Sequence, residues 1–238
     1  MAKVKEKKEL TKEGVIANFV LVGEAKIGEY TYKTNERSEK SDWIYNHLNL
    51  GVYCGEAFGT VYAELMGGFG AERENVVYVH GKDKDGKDDF KNKFQIDWDD
   101  RFDDDLLEEV GDLCFYTVGL EKDKNKKVFY KKFLTPYDVI DYVKENLEDG
   151  MVINVKGNIK YSIYEGATQV KKEISSIVLS KVDDPSKYYA RFTQTMLLTK
   201  DSIGKPEKGS NVLPINAKVL DYVKEYNGHE VKCIIPFD

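Results

Sequence analysis

Apolar and polar residues alternate strictly between Met151 and Tyr164, in the first half of the segment LEDGMVINVKGNIKYSIYEGATQVKKEISSIVL. Successive side chains of a strand point to opposite faces, so one face of this segment is predicted to be core and the other wet, basic and partly aromatic. The inward set is Ile153, Val155, Ile159, Tyr161 and Ile163, and the outward set is Asn154, Lys156, Asn158, Lys160 and Tyr164. Such an outer face suits a polyanion with free bases, but it is also typical of any antiparallel sheet.

Two earlier segments alternate in the same way. The first, Trp43–Cys54, is predicted to bury Ile44, Leu48, Leu50, Val52 and Cys54 and to present Trp43, Tyr45, His47, Asn49 and Tyr53. The second, Thr60–Met66, is predicted to present Tyr62 and Met66 before the Gly67-Gly68 pair and Gly70 break the strand. Outward aromatics on neighbouring strands can stack nucleic-acid bases. Alternatively, a helix or loop covers them and they form a second core.

The remaining pattern predicts further strands and one main helix. Asn18–Ile27 is an expected buried strand, residues 28–42 an expected polar loop, and Asp85-Gly86 an expected hairpin turn. Pro136 should open a helix over Tyr137–Leu147, and Asp105 should cap a short helix over Leu106–Val110. The pentapeptide DYVKE occurs at residues 141–145 and again at 221–225. This repeat predicts a strand–helix–strand unit in the last part of the chain.

Composition and charge limit the possible functions. The 238 residues, 41% hydrophobic and 33% charged, suffice for one large all-β domain or two small ones. No apolar run reaches the roughly 20 residues that cross a membrane, and no secretory signal is visible, so a cytoplasmic protein is expected. The net charge of −6 argues against nucleic acid coating the whole surface. A local basic groove remains compatible with it, because charge is screened within about 10 Å.

The charge is unevenly distributed along the chain. Residues 122–132 carry six lysines against one Asp, whereas residues 97–112 carry nine acids against Arg101. Consecutive acids in a loop point apart rather than converging on metal ions. The three cysteines and three histidines show no metal-ligand spacing, and the cysteines are expected to be buried, reduced thiols. The sequence therefore predicts no cofactor, no metal and no enzymatic activity.

The order of the predicted elements resembles the oligonucleotide-binding (OB) fold of bacterial-type single-stranded DNA-binding proteins. The resemblance rests on Asn18–Gly23, Gly150, Val155–Gly157, Tyr164–Gly166 and the pair Glu173-Ile174. As a whole, the chain is most similar to the phage-encoded proteins of this type. The resemblance implies a mainly β, OB-fold barrel with one main helix over residues 14–182, after a flexible lead at 1–13. It also implies a large hairpin insertion at about 67–112 and a strand–helix–strand extension at 183–238, a candidate partial second OB-like unit.

The same resemblance implies sequence-independent binding of single-stranded DNA in phage replication or recombination. The residues expected to stack bases are Trp43, Tyr45, Tyr53, Tyr62 and Tyr164. Those expected to contact phosphates are Lys126, Lys127, Lys131, Lys156, Lys160, Lys171 and Lys172. Replication or recombination proteins and further copies of the chain are candidate partners, and the terminal residues 235–238 resemble the family's partner-recruiting tip. Two alternatives stay open: an interaction protein whose acidic strip, residues 97–112, imitates DNA, and a structural virion component.

Overall fold

A computed structural model describes residues 16–164, 167–205, 209, 213–226 and 229–237, with side chains for 16–162, 168–205, 209 and 213–219. The described residues are mainly β, with fourteen strands and two α-helices. The first eight strands are β1 Ala17–Lys26, β2 Tyr32–Arg37, β3 Trp43–Tyr53, β4 Thr60–Gly70, β5 Val76–Lys82, β6 Asp88–Asp97, β7 Tyr116–Lys122 and β8 Val128–Phe133. The others are β9 Val152–Tyr164, β10 Ala167–Leu179, β11 Tyr189–Gln194, β12 Met196–Leu197, β13 Ala217–Tyr226 and β14 His229–Phe237. The α-helices are α1 Asp104–Glu109 and α2 Pro136–Asn146.

Nine of the strands form one sheet. Its main path runs β11-β1-β3-β4-β10-β7-β8, with β2 paired to β3, and β9 paired to both β1 and β10. The β3–β4 ladder is antiparallel and runs from Trp43 opposite Gly70 to Tyr53 opposite Thr60. In contrast, β10 is parallel to β4, with Glu173 opposite Glu64, and also parallel to β7. The strands β5 and β6 form a separate hairpin, and β12, β13 and β14 form a small antiparallel sheet.

The chain divides into two compact units whose boundaries fall within β1, β9, β10 and β11. The larger unit comprises residues 19–158 and 172–191, and the smaller comprises residues 1–18, 159–171 and 192–238. In the smaller unit, the backbone of Ile16 pairs with Thr195, and the Tyr161 hydroxyl donates to Gln194 Oε1 at 3.0 Å. Within the described part of the chain, no helix has both the length and the apolar character needed to cross a membrane.

The alternation of side chains predicts the buried faces of β3 and β9, although Ile44 and Tyr161 are only half-buried and the side chain of Ile163 lies outside the described residues. Leu48, Leu50 and Val52 of β3 are fully buried, as are Ile153 and Val155 of β9. Gly157 continues the buried row of β9, and a Cβ there would lie 2.0 Å from the Glu173 carbonyl oxygen and 2.7 Å from the Phe19 ring. A glycine is therefore needed where β9 crosses β1 and β10 at close range.

The glycines of β4 do not break the strand, contrary to the prediction. β4 continues to Gly70, so the expected insertion boundary at residue 67 falls inside a paired strand. A Cβ on Gly67 would lie 2.7 Å from Pro136 Cβ, and one on Gly68 would lie 2.0 Å from the Ile44 carbonyl oxygen. These glycines admit the start of α2 and the β3 backbone at distances that a side chain would prevent.

Both predicted helices form, with one change of cap. Thr135 caps α2 by accepting the Asp138 backbone N–H at 3.2 Å, and Pro136 occupies the first turn, where its missing N–H costs nothing. The predicted apolar face of Val139, Ile140 and Val143 is buried. For α1 the cap is Asp103 rather than Asp105, because the Asp103 carboxylate accepts the N–H groups of Asp105 and Leu106.

Between β4 and α2 the chain builds a core of its own. The buried side chains Val79, Ile96, Val110 and Leu134 cluster there, with partly buried residues, including Leu107 and Cys114, packed against them. Arg101 connects this segment to α2: its Nε lies 2.9 Å and its Nη2 3.1 Å from the two carboxylate oxygens of Asp138. Its guanidinium also lies 4.3 Å from the centroid of the Trp98 ring.

The sequence predicts a strand–helix–strand extension at 183–238, and the helix of this prediction is wrong. Residues 221–225, the second DYVKE, lie within the strand β13, which pairs with β14 in an antiparallel hairpin. The first copy lies within α2. The same five residues adopt the structure that their neighbours impose, because local propensity is weak compared with tertiary pairing.

A buried amide joins β2, β3 and α2. Asn46, on the inner face of β3, is fully buried. Its Nδ2 donates to the Tyr137 carbonyl oxygen at 3.0 Å and to Asp141 Oδ1 at 2.8 Å, while its Oδ1 accepts the Asn35 N–H at 2.8 Å. Asn35 has a φ of +57°, so this hydrogen bond also holds β2 in a left-handed kink.

We expect Asn46→Ala to lower the free energy of unfolding by about 2–4 kcal/mol, because it leaves buried hydrogen-bonding groups without partners. Urea denaturation measures this change. Asn158→Ala, at an exposed position of β9, is the matched control and should change stability by less than about 0.5 kcal/mol.

The cost of Asn46→Ala should also depend on pH. Burial raises the pKa of Asp141, while the hydrogen bond from Asn46 lowers it. Without that hydrogen bond the pKa of the folded variant rises further, so the folded variant binds more protons than its unfolded chain. The stability difference from the wild type should therefore be smaller at pH 4.5 than at pH 7.5. An equal difference at both pH values would show that Asn46 does not stabilise the Asp141 carboxylate.

Candidate nucleic-acid interface

The outer faces of β3 and β4 carry the aromatic residues singled out in the sequence. We call Trp43, Tyr45, Tyr53 and Tyr62 the aromatic face. The first three occupy odd positions of β3, opposite in direction to the buried Leu48 and Leu50, and are half-buried. Residues opposite each other in an antiparallel ladder share a face, so Tyr62, opposite Gly51, lies on the same side.

Tyr62 packs across the ladder onto a glycine. A Cβ on Gly51 would lie 3.1 Å from Tyr62 Cε1 and 3.1 Å from Thr60 Cγ2, so the ring covers a position without a side chain. Its neighbour Tyr53 has the Lys26 ammonium 5.6 Å from its ring centroid, and that ammonium is also 2.8 Å from Glu24 Oε2. These contacts hold both rings against the sheet.

The aromatic face is open at β4. Tyr62 is 55% exposed and Met66, four pairs further along the ladder, is 51% exposed. α2 packs on the opposite side of these strands, where Asn46 binds it and Gly67 admits Pro136. None of the described segments therefore covers Tyr62 and Met66, whereas a second core would require such a cover.

Carboxylates lie in the middle of this open surface. Glu64 of β4, opposite Asn49, has its Oε2 3.5 Å from His47 Nε2. Glu173 of β10 lies opposite Glu64 in the parallel ladder and therefore on the same face. Both carboxylates would repel a phosphate placed above them.

The three predicted lysines of the β7–β8 hairpin do not lie beside the aromatic face. β8 is separated from β4 by β10 and β7, which at about 4.8 Å per strand is roughly 14 Å. Lys126 and Lys127 are exposed at the hairpin turn, where Lys126 has a φ of +60°. Lys131 is already engaged: its Nζ lies 3.3 Å from Glu121 Oε2 and 4.2 Å from the Tyr142 ring centroid.

The other predicted lysines are spread over β9 and β10. Lys156 is exposed on β9, which pairs with β1 and β10, and Lys172 is half-buried on β10, the neighbour of β4. Lys160 and Lys171 are exposed in the smaller unit. The side chain of Tyr164 lies outside the described residues, so its stacking role stays a prediction.

The structure adds cations that the sequence analysis missed. Residues 28–42 were expected to be a loop, but they contain β2, which pairs with β3 and places the exposed Lys33 opposite His47. In the connection before β2, Tyr30 is 75% exposed. Only the pairing of β2 with β3 reveals these neighbours, because the β2 sequence has no apolar alternation to identify it.

The acidic segment 97–112 folds into short helices with outward carboxylates. It includes the 3-10 helix Trp98–Asp100 and α1, and its acids are exposed. Among the residues that the structure describes, no group of three or more His, Cys, Asp or Glu side chains could hold a metal ion. Asp112 pairs with Lys132 at 2.9 Å, which lowers the pKa of that carboxyl group.

Comparison with known protein families gives one match. A family model described as YorF matches residues 74–238, well over half of the chain. The chain belongs to the YorF family. No curated protein and no solved structure matches it.

The YorF match begins after β4. It covers β5 to β14 and both α-helices, whereas β1 to β4, and with them the aromatic face, precede it. Membership of the YorF family does not specify a ligand. The function is therefore inferred from the strand pairing and from the surface of β3 and β4.

The packing of Tyr62 on Gly51 predicts a modest contribution of this ring to stability. Tyr62→Ala should lower the free energy of unfolding by about 0.5–1 kcal/mol, since cross-strand aromatic contacts contribute on that scale. Tyr62→Phe keeps the ring and should be neutral in the same urea titration. Tyr78→Ala, which removes a 76% exposed ring from β5, is the control for loss of any surface tyrosine. Equal effects of Tyr62→Ala and Tyr78→Ala would contradict the packing role.

Proposed function

We propose that this chain binds single-stranded DNA without sequence preference, through an OB-type barrel built from β1, β3, β4, β10 and β9. The supporting observation is the order of pairing: β1 with β3, β3 with β4, β4 with β10, β10 with β9, and β9 again with β1. In this closed order the third barrel strand is the neighbour of the fifth, and here that contact is the parallel pairing of β4 with β10. The helix α2 precedes β9, as the resemblance to the OB family implies.

In such a barrel, β3 and β4 are the second and third strands. The faces of those two strands, with the connections between strands one and two and between strands four and five, form the usual oligonucleotide surface of the OB fold. The aromatic face occupies that surface, and Tyr30 lies in the connection between the first two strands. The aromatic face is thus located where single strands bind to OB domains, which favours stacking over a second core.

Stacking on such rings contributes about 1–3 kcal/mol per base and tolerates every base, because each base has a π-face. Near the rings, the exposed Lys33 on the β2 side of β3 can contact a phosphate, whereas Lys26 on the β1 side would first have to exchange its contact with Glu24, at 2.8 Å, for the phosphate. Glu64 and Glu173 exclude phosphates from the middle of the surface. The backbone of a bound strand would therefore lie towards β1 and β2, and the lysines of β8 would serve only a strand that continues past β10.

The proposal also covers the rest of the chain and the setting in which the protein acts. In this proposal the insertion expected at about 67–112 spans residues 71–135 instead, with β5 to β8 and α1, because β4 continues to Gly70 and α2 begins at Pro136. The protein acts without catalysis, in the cytoplasm of a bacterial host, during replication or recombination of phage DNA. Partner proteins and self-association follow from the family resemblance and need their own measurements.

A titration with fluorescently labelled oligo-dT at two salt concentrations tests the proposal. We expect binding at low salt and quenching of Trp or Tyr emission. Affinity should fall with rising salt, with a slope proportional to the number of neutralised phosphates. Trp43→Ala and Tyr62→Ala should each weaken binding by about 5-fold to 150-fold, the equivalent of one lost stacking contact. Tyr62→Phe should retain affinity, and Tyr78→Ala, outside the aromatic face, should be unchanged.

Absence of binding to oligo-dT at low salt would refute the proposal. Equal loss in Tyr62→Ala and Tyr78→Ala would refute the location of the site while leaving binding intact. A matched oligo-U titration separates a DNA preference from general single-strand binding. Binding to a cationic protein, abolished by charge removal at Asp104 and Asp105 and without any effect of oligo-dT, would instead favour the DNA-mimicking role of residues 97–112.

The carboxylate of Glu64 should weaken DNA binding. Glu64→Gln removes one negative charge from the middle of the surface while keeping the shape of the side chain, so affinity for oligo-dT should rise about 2-fold to 5-fold at low salt. The gain should shrink as salt increases. Glu148→Gln, at an exposed position after α2, is the control for a change in net charge and should have no comparable effect. A gain of the same size in both variants would mean that Glu64 does not face the bound strand.

A further inference from the structure

Three residues that are distant in sequence meet beside the β5–β6 hairpin. His80 lies on β5, Asp88 on β6, and Cys114 ends the 3-10 helix Asp112–Cys114. His80 Nδ1 is 3.2 Å from Cys114 Sγ, and His80 Nε2 is 2.7 Å from Asp88 Oδ1. The imidazole therefore bridges a thiol and a carboxylate, an arrangement that the sequence spacing does not reveal.

Asp88 fixes which imidazole nitrogen carries the proton. The Leu113 N–H donates to Asp88 Oδ1 at 2.9 Å, and this bond, followed by the one from His80, lowers the pKa of the carboxyl group. An ionised carboxylate only accepts hydrogen bonds, so Nε2 must be the donor of a neutral His80. The lone pair of Nδ1 then faces the Cys114 thiol and can take its proton.

The backbone around the group keeps the imidazole in place. The Gly111 N–H donates to the His80 carbonyl oxygen at 2.8 Å. A Cβ on Gly111 would lie 2.5 Å from Asp88 Oδ1 and 2.6 Å from His80 Cδ2, so the glycine permits this close packing. The Phe90 ring lies on the imidazole with centroids 4.5 Å apart. The His80 backbone N–H donates to Cys114 Sγ at 3.4 Å, a contact that favours negative charge on the sulfur.

Cys114 differs in access from Cys54. Both thiols were expected to be buried, but Cys114 is only partly buried, whereas Cys54 is fully buried and its pKa is raised to about 11 by burial. The elements packed around the Cys114 site carry further charged residues: Lys82 on β5, Lys93 on β6, Glu108 and Glu109 at the end of α1, Asp112 on the 3-10 helix and Lys132 on β8. Lys82 and Lys132 both lie close to Asp112, at 3.9 Å and 2.9 Å.

We propose that Cys114 is a reactive thiol, deprotonated by His80 and oriented through Asp88, that exchanges with low-molecular-weight disulfides. The Cys114 thiolate attacks one sulfur of the disulfide, the S–S bond breaks, and the departing sulfur leaves as a thiolate that takes the proton held by His80. The products are a mixed disulfide on Cys114 and one free thiol. A second thiol reverses the step, so the modification is reversible.

The geometry favours disulfides over acyl substrates. Acyl transfer needs donors for an oxyanion, and the N–H of the nucleophilic residue commonly supplies one of them. Here the Cys114 N–H already donates to the Gly111 carbonyl oxygen at 3.0 Å. Thiol–disulfide exchange needs only a thiolate and access to it.

The pH dependence of alkylation tests the activation of Cys114 in the full-length protein. Iodoacetamide is applied between pH 5 and pH 9.5, and mass spectrometry follows the peptides that carry Cys54, Cys114 and Cys233. We expect the Cys114 rate to reach half its maximum at least about 1 pH unit below the value near 8.5 of an ordinary thiol. At pH 7, Cys114 should react at least about 10-fold faster than Cys54, and His80→Gln should move its profile back towards the ordinary value. Asp88→Asn should move it in the same direction.

Glutathione disulfide is the probe for exchange itself. The wild type should gain one glutathione at Cys114, removable by dithiothreitol, while Cys114→Ser should gain none at this position and His80→Gln should gain it at least about 10-fold more slowly at pH 7. An ordinary pH profile for Cys114 in the wild type would overturn the proposal, whether or not His80→Gln folds. So would an unchanged profile in a His80→Gln protein whose circular dichroism and melting temperature match the wild type, because a merely structural contact predicts that result.

Discussion

The architecture depends on one buried amide between the sheet and the main helix. Asn46 lies among apolar side chains on the inner face of β3. Because it is buried away from water, its amide groups need hydrogen-bond partners within the protein. It does so with the Tyr137 carbonyl, the Asp141 carboxylate and the Asn35 N–H, which come from α2 and β2. A shift of β3 by one residue would turn this amide outward and the odd-numbered aromatics inward, so the hydrogen bonds specify the register that leaves the aromatic face open.

Side-chain alternation was sufficient to predict the faces of β3, β4 and β9. It succeeds where one face is buried, because a strand then has a single acceptable orientation. It failed at Gly67 and Gly68, whose absent side chains make room for Pro136 and the β3 backbone. The repeat of DYVKE also misled, because the second copy joins β13 rather than a helix. In each case a tertiary contact decides the structure: α2 and β3 pack closely against the glycines, and β13 pairs with β14, which follows it directly in the sequence.

The candidate sites were predicted to very different degrees. The aromatic residues were found because they share a strand and its period, whereas the lysines were grouped by their proximity in sequence, and the sheet order then placed β10 and β7 between β8 and β4. The Cys114 site was missed altogether. The β5–β6 ladder brings His80 and Asp88 together. The bridge between Val110 and Gly81 then brings the segment that carries Cys114 to the same place. A site assembled by tertiary contacts has no characteristic residue spacing in the sequence, so no sequence motif identifies it.

The two surfaces are supported by different parts of the core. The aromatic face belongs to β3 and β4, whose inner residues pack with the rest of the large sheet, while His80, Asp88 and Cys114 rest on the separate cluster of Val79, Ile96 and Val110. The matched YorF region begins at residue 74 and contains this second core in full. Since residues far apart with no shared partners contribute additively to stability, changes at Cys114 should leave the packing of Tyr62 on Gly51 intact. A single variant that altered both would require a physical connection through Arg101 and Asp138, where the segment that carries the thiol is joined to α2.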